Sequence, residues 1–416
     1  MKRTPTILIS LLLAIPMQAQ MTLNDCLVYA RKHAHSNRIN RMEVEVAAAN
    51  KRIGVADMLP YVGLGANGSL SFGRNIDPET NTYDNKKTLG TGFGIDLSLP
   101  LFDGLVRINN VKALKAAELR KKQSRLVEED RISLEVIKDF YNVSYCRAMV
   151  EQMDRQLRRD STDLLATERG EELGTKSGAD VAELKAIVAA DLYELANQRN
   201  LLKKAYLTLR SAMGMPLTDE PLQLVDSTPT LVDSPHLLDT QYPISEIPFS
   251  RNLPDIEEAE LAVKESRHYL NAAKGGYSPR INFTAGISTS YYRMMGMGME
   301  ATSFSRQFRD NMGEYIGFSF SFPIFDGLAT TNRVKRAKFN LLETQIRLEQ
   351  TEYQIQKATE EARLDRMAAI EELSAASQRL EAEQIAYKAM RRKFELGMAS
   401  AIDLYTSGSK LATAEA

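Results

Sequence analysis

Hydrophobic residues along this chain follow two alternating periods. From Val62 to Gly73 the period is two: Val62, Leu64, Ala66, Leu70 and Phe72 share one face, and Gly63, Gly65, Asn67, Ser69, Ser71 and Gly73 share the other. The same alternation returns at Phe93, Ile95, Leu97 and Leu99, opposed by Gly94, Asp96 and Ser98. Large apolar side chains against glycine, serine and a carboxylate are the pattern of a transmembrane barrel strand, apolar to lipid and small or polar to the lumen. Elsewhere the period is helical. Residues 22–57 read as a first helix that begins near Asn24 or Asp25, and Leu59-Pro60 ends it. After Phe102-Asp103-Gly104 no glycine or proline occurs until Gly170, which predicts one helix over 103–170. Such a helix is on the order of 100 Å long. Its apolar positions form only a narrow seam (Ile132, Val136, Phe140, Val143, Val150), which suits a helical barrel or coiled coil that is wet on its other faces.

The pattern occurs twice. Pro100-Leu101-Phe102-Asp103-Gly104-Leu105 returns as Pro323-Ile324-Phe325-Asp326-Gly327-Leu328, an offset of 223 from Pro100 to Pro323. The strand ahead of it returns as Ile316, Phe318, Phe320 and Phe322, and Leu173-Gly174 with Asp180 returns as Leu396-Gly397 with Asp403. Pro279 takes the place of Pro60, followed by Ile281, Phe283 and Ala285. The chain is therefore a tandem duplication in which strands hand over to a long helix. Residues 20–215 form the first copy, with a helix, strands at about 61–74 and 91–99, the long helix and a helix over 180–213. Residues 216–252 form a proline-rich linker. Residues 253–416 form the second copy, with a helix, strands at about 280–292 and 314–322, a long helix over 326–396 and a last helix from about 401. By the repeat that last helix would run on to about residue 436. The final helix is thus expected to be shorter than its first-copy partner.

Lys2, Arg3 and the apolar run 7–15 make residues 1–19 a secretory signal peptide, cut after Ala19. No later run approaches some eighteen apolar residues, and 26% of the chain is charged, so membrane-spanning helices are excluded and a closed β-barrel is the remaining way into a bilayer. Four strands cannot close such a barrel, whose smallest members have eight, so the chain must oligomerise. A net charge of −1 gives no basic footprint for nucleic acid. Cys26 and Cys146 fall in helical stretches, as buried thiols or as one disulfide.

Chemical motifs are weak. Gly63-Leu64-Gly65-Ala66-Asn67-Gly68 fits a dinucleotide fingerprint literally but lies inside a strand. Gly174-Thr175-Lys176-Ser177 misses phosphate-loop spacing and follows a helix, so turn chemistry explains it better. His33 and His35 lie on different helix faces, and His236 and His268 are isolated. Met294, Met295, Met297 and Met299 gather thioethers that suit Cu(I), although an exposed hairpin loop is the plainer reading. No hydrolase or metalloprotease signature occurs, and the chain reads as a non-enzyme with no cofactor.

The doubled strand-Pro-(Leu/Ile)-Phe-Asp-Gly-Leu phrase, the long helices and the doubled Leu-Gly turns resemble the TolC family of outer-membrane efflux proteins, over essentially the whole mature chain. The resemblance implies a mainly α fold with a membrane β-barrel part. Three protomers would give four strands each to a twelve-stranded barrel, continued by a periplasmic α-barrel. The implied function is the passive outer-membrane duct of a tripartite efflux system. Its implied partners are two further copies of the chain, outer-membrane lipid, a periplasmic membrane-fusion adaptor and an inner-membrane pump. A protein-secretion channel shares the architecture, and an exported coiled-coil structural protein or adhesin is the reading from another class. By the same resemblance the adaptor meets the tips at Leu173, Gly174 and Thr175 and at Leu396, Gly397 and Met398. Glu381 and Glu383, ahead of the second tip, are the candidate gate. The joint between barrel and tunnel falls at Pro60, Pro100, Phe102, Asp103 and Gly104, and at Pro279, Pro323, Phe325, Asp326 and Gly327. There the prolines stop the strands, the phenylalanines suit an aromatic girdle, and the aspartates cap the helices. Cys26 lacks the small apolar residues that precede a lipidated cysteine.

Overall fold

The structure, a computed structural model, describes residues 21–76, 81–85, 87–218, 222–225, 252–295 and 302–415. The signal peptide, most of the 216–252 linker with His236, and the loop with Met297 and Met299 lie outside the described residues. These fall into two compact units. One lies within Arg41–Arg125 and Ser250–Gln354, the other within Met1–Asn40, Leu126–Phe249 and Ile355–Ala416.

The first unit holds the strands. Helix α1 (Leu23–His33) and helix α2 (His35–Ala56) precede β1 (Tyr61–Ser71), β2 (Arg74–Ile76), β3 (Tyr83–Asn85) and β4 (Lys87–Phe102). Helix α3 (Val106–Glu172) and helix α4 (Gly178–Met213) complete the first copy. The second copy has α5 (Pro254–Gly275), β5 (Arg280–Met295), α6 (Phe304–Asp310), β6 (Gly313–Ser321), α7 (Ala329–Glu395) and α8 (Ala401–Glu415). The four long strands form one antiparallel sheet in the order β1-β4-β5-β6, so the two hairpins of the duplication meet along β4 and β5. Register aligns the apolar rows: Val62, Leu97, Ala285 and Ile316 lie in line, and Phe283 stands between Leu99 and Phe318. Much of this face is bare, with Leu64 81% and Ile316 76% exposed, while Phe304 and Phe308 of α6 pack on Phe93 and Tyr291 at one end of it. On the opposite face the Tyr315 hydroxyl crosses Gly286 to donate to Asp96 at 2.8 Å. A Cβ at Gly286 would stand 2.7 Å from the Tyr315 ring, so the crossing needs glycine.

The strand bounds differ from expectation at three places. Strand β4 starts at Lys87, where 91 was expected, and passes through Pro100 by a bulge that lets Phe102 pair with Ile281. Proline therefore does not stop this strand's ladder. The stretch read as turn-rich carries a two-stranded extension, β2 with β3, in which the Arg74 guanidinium sits 4.8 Å from the Tyr83 ring centroid. Finally, β6 covers only the lower part of β5, and α6 takes the place of its upper part. There Gln307 acts as a strand residue would: its Oε1 accepts from Tyr292 N and its Nε2 donates to Tyr292 O, both at 3.0 Å. Asn311 Nδ2 likewise donates to Ser290 O. Side-chain amides thus occupy backbone groups that β6 leaves open.

The second unit is helical, and its core is the narrow seam. Ile132, Val136, Phe140 and Val143 of α3 are buried against Cys26 and Ala30 of α1 and Ala205, Leu209 and Met213 of α4. Each such side chain contributes about 1.5–3 kcal/mol when fully buried. A second cluster joins Leu184 and Ile187 of α4 to Tyr387 and Phe394 of α7 and Leu404 and Leu411 of α8. Cys26 and Cys146 are free, buried thiols, and burial pushes Cys26 up to about 11. The helix expected over 22–57 is two helices. Thr22 caps α1 in a reciprocal box with Asp25, and Ala34 (ψ 133°) breaks the chain. A Cβ at Gly214, just past α4, would stand 2.8 Å from His33 O, so the break lies where the end of α4 arrives. The buried Asn37 side chain donates to Arg31 O, a carbonyl that the break leaves free.

Candidate functional site

Three places stand out: the joints where strand becomes helix, the two helical turns, and the polar interior near those turns. At the first joint Asp103 accepts from Arg107 N at 3.2 Å, and at the second Asp326 accepts from Thr330 N at 2.7 Å. The two capping bonds to Thr330 hold the Asp326 carboxyl below its usual range. Neither aspartate occupies the N-cap position itself. The helices start at Val106 and Ala329, three residues later than expected, because two successive left-handed residues turn the chain first. These are Gly104 (φ 71°) with Leu105 (φ 64°), and Gly327 (φ 64°) with Leu328 (φ 65°). A left-handed leucine costs roughly 1–2 kcal/mol, and here it recurs in both copies.

The two joints differ in one respect. A Cβ on Gly104 would stand 2.3 Å from Gly275 O, whereas one on Gly327 would meet nothing within 4 Å. The end of α5 is thus pressed against the first joint. Pro60 and Pro279 immediately precede β1 and β5, and Pro323 follows β6. Phe102 is 37% exposed and Phe325 80%.

The two turns are built alike. Gly174 (φ 73°) and Gly397 (φ 72°) close α3 and α7, with Thr175 N donating to Gly170 O and Met398 N donating to Lys393 O. Ser177 with Asp180 and Ser400 with Asp403 then form reciprocal capping boxes. Serine, and not Asp180, is the cap, so α4 starts at Gly178. Leu173, Leu396 and Met398 are exposed at the tips. Lys176 of the phosphate-loop-like stretch reaches the other copy: its Nζ donates to Phe394 O at 3.1 Å and lies 3.7 Å from the Phe394 ring centroid.

Glu381 is exposed and Glu383 half-buried, and neither makes an ion pair or hydrogen bond among the described residues. The polar interior lies instead where the α3 seam continues through Gln156, Asp160, Asp163 and Thr167. Gln156 Nε2 donates to the buried Asp191 of α4 at 2.9 Å, and Arg391 of α7 stands 3.6 Å from the buried Asp163. Burial, then a hydrogen bond to Asp191 and its charge, push Asp160 up to about 8, against the opposing Arg159. Burial also raises Asp163, with Arg391 opposing and Glu395 adding to it. Burial and the neighbouring Asp191 carboxyl thus favour the protonated form of Asp160. The sequence carried a sign of this site, since Gln156, Asp160, Asp163 and Thr167 keep the three-four spacing of Val136, Phe140 and Val143. Their charge makes them look like a solvated face.

The model of the outer membrane efflux protein family matches residues 29–215 and 250–416. The chain belongs to the outer membrane efflux protein family. Outer membrane protein TolC of Escherichia coli (strain K12) is 25% identical over 434 residues, covering 100% of this chain and 82% of that protein. Among solved structures, CusC matches with a TM-score of 0.78 at 19% identity, over 94% of this chain and 86% of the other. VceC from Vibrio cholerae matches with a TM-score of 0.78 at 15% identity, over 94% and 90%. As a member of this family the chain is an outer-membrane protein, and its four-stranded sheet is one protomer's share of a trimeric barrel. It serves as the outer-membrane channel of a tripartite efflux system. Among the described residues no helix is long and apolar enough to cross a membrane.

Proposed function

We propose that the chain is a passive exit duct for small toxic or amphiphilic compounds, and that strands β1 and β6 of neighbouring copies pair to close it. The observation that carries this reading is the sheet itself. One largely bare apolar face runs in register over four strands, the other face carries mostly small and polar residues, and the two edges are unpaired within the described residues of the protomer. At the far ends of the long helices, the exposed Leu173 and Thr175 beside Gly174, and Leu396 and Met398 beside Gly397, offer a repeated surface to a periplasmic membrane-fusion adaptor. The gate is assigned to Asp160, Asp163, Asp191, Tyr387 and Arg391 in place of Glu381 and Glu383, because buried charge held by few partners favours an alternative, wetter arrangement. The chain needs no catalytic group for this work; the driving force comes from an inner-membrane pump. Deleting the gene should sensitise cells to drugs or bile salts, and re-expression should restore resistance. Unchanged sensitivity to drugs, bile salts and metals in the deletion strain would overturn the proposal.

A further inference from the structure

Within the strand-bearing unit lies an open cleft of about 540 Å³, bordered by the first turns of α3 and α7 and the last turns of α5. Three arginines line it: Arg280, the first residue of β5, and Arg333 and Arg336, one turn apart on α7. No carboxylate lines it, and among the described residues none of the three guanidiniums makes an ion pair. Arg333 helps to hold the Asp326 carboxyl below its usual range, but that carboxylate is engaged in capping α7. Asn110, Tyr269 and Asn340 add polar groups to the wall, and Ala273, Gly276 and Ala337 keep the space open.

The duplication provides an internal control. At an offset of 223, Arg333 and Arg336 correspond to Asn110 and Ala113, and at the 219 offset of the strands Arg280 corresponds to Tyr61. The first copy builds the same strand-to-helix joint with no arginine at these positions, so the fold does not require them. Three unpaired guanidiniums around one cavity repel one another and favour an anion that can take their paired donors.

We infer that this cavity is a binding station for a small anion, an inorganic or organic phosphate, sulfate or carboxylate, on the exit path. This rests on the channel reading, in which the polar face of the sheet is the lumen. Arg280 lies on that face, paired with Ser321 and in line with Thr284 and Gly286. The duct then favours anionic over cationic amphiphiles at the foot of its barrel. A phosphate on a lipid headgroup has the same chemistry but would approach from the apolar face.

The test is calorimetric titration of the full chain, solubilised in non-ionic detergent at low salt, with inorganic pyrophosphate. One pyrophosphate should bind per protomer, more weakly as salt rises. Arg336→Gln, which alters an exposed side chain whose repeat partner is alanine, should weaken binding at least about tenfold, and Arg336→Lys less. Arg347→Gln, farther along α7, should leave it unchanged. Absence of binding at ~10 mM pyrophosphate, or equal binding to Arg336→Gln, overturns the inference. A second arm reconstitutes the protein in bilayers of phosphatidylglycerol or phosphatidylcholine. Arg336-dependent retention of phosphatidylglycerol without pyrophosphate binding makes this a headgroup site and overturns the luminal reading. The drug-sensitivity test of the channel reading needs no anion, so the two can fail separately.

Discussion

Replacing Asp160 by asparagine tests whether the polar interior is held by a proton on Asp160. The wild-type group has its folded pKa raised to about 8 from 3.8, by burial first and by Asp191 second. A raised folded pKa means that the contribution to stability is complete below about pH 4 and is lost as pH rises toward 8. One proton sets a ceiling of about 1.4 kcal/mol per pH unit. Because water reaches part of the group, about 2–4 kcal/mol between pH 5 and pH 8 is the working figure. Asparagine keeps a donor for Asp191 but never ionises. The variant should therefore lose most of this pH slope and be the more stable protein at pH 8. Thermal unfolding of the helical signal between pH 5 and pH 9 reads the slope, and conductance in planar bilayers reads the gate. Wild-type conductance should rise with pH in that window, and that of Asp160→Asn should stay flat. Equal slopes in the two proteins would refute the retained proton on Asp160.

Three further outcomes are expected. Gly104→Ala meets both a left-handed backbone and Gly275 O, so it should cost about 2–4 kcal/mol, whereas Gly327→Ala meets only the backbone and should cost about 1 kcal/mol; chemical denaturation in detergent that ranks them the other way would remove the role given to α5. Gln307→Ala leaves both backbone groups of Tyr292 without their side-chain partner, at about 1–3 kcal/mol, and should appear first as faster amide exchange at Tyr292. Leu173→Asp with Leu396→Asp should leave oligomers heat-stable and abolish drug resistance, and full resistance would place the adaptor elsewhere.

Where backbone chemistry is local, the sequence was readable. Gly174 and Gly397 end their helices because only a residue without a Cβ turns left-handed cheaply there, and the doubled Phe-Asp-Gly marks both joints. Strand alternation located all four long strands, because each pairs with one face bare and one face small. What stayed hidden depends on distant partners. The break at Ala34 has no glycine or proline to announce it and lies where the end of α4 arrives. Helix α6 was missed because Gln307 serves as a substitute strand residue only when Tyr292 is beside it. Glu381 and Glu383 stand out in the sequence by their charge near a tip. Asp160 and Asp163 do not, because in a helix this polar a buried carboxylate and a wet one are spelled alike.

The unequal joints have a mechanical corollary. In the first copy, backbone presses on backbone at Gly104 and Gly275, while in the second Gly327 turns in open space within the protomer. A threefold ring of such chains alternates clamped and loose pivots around its circumference.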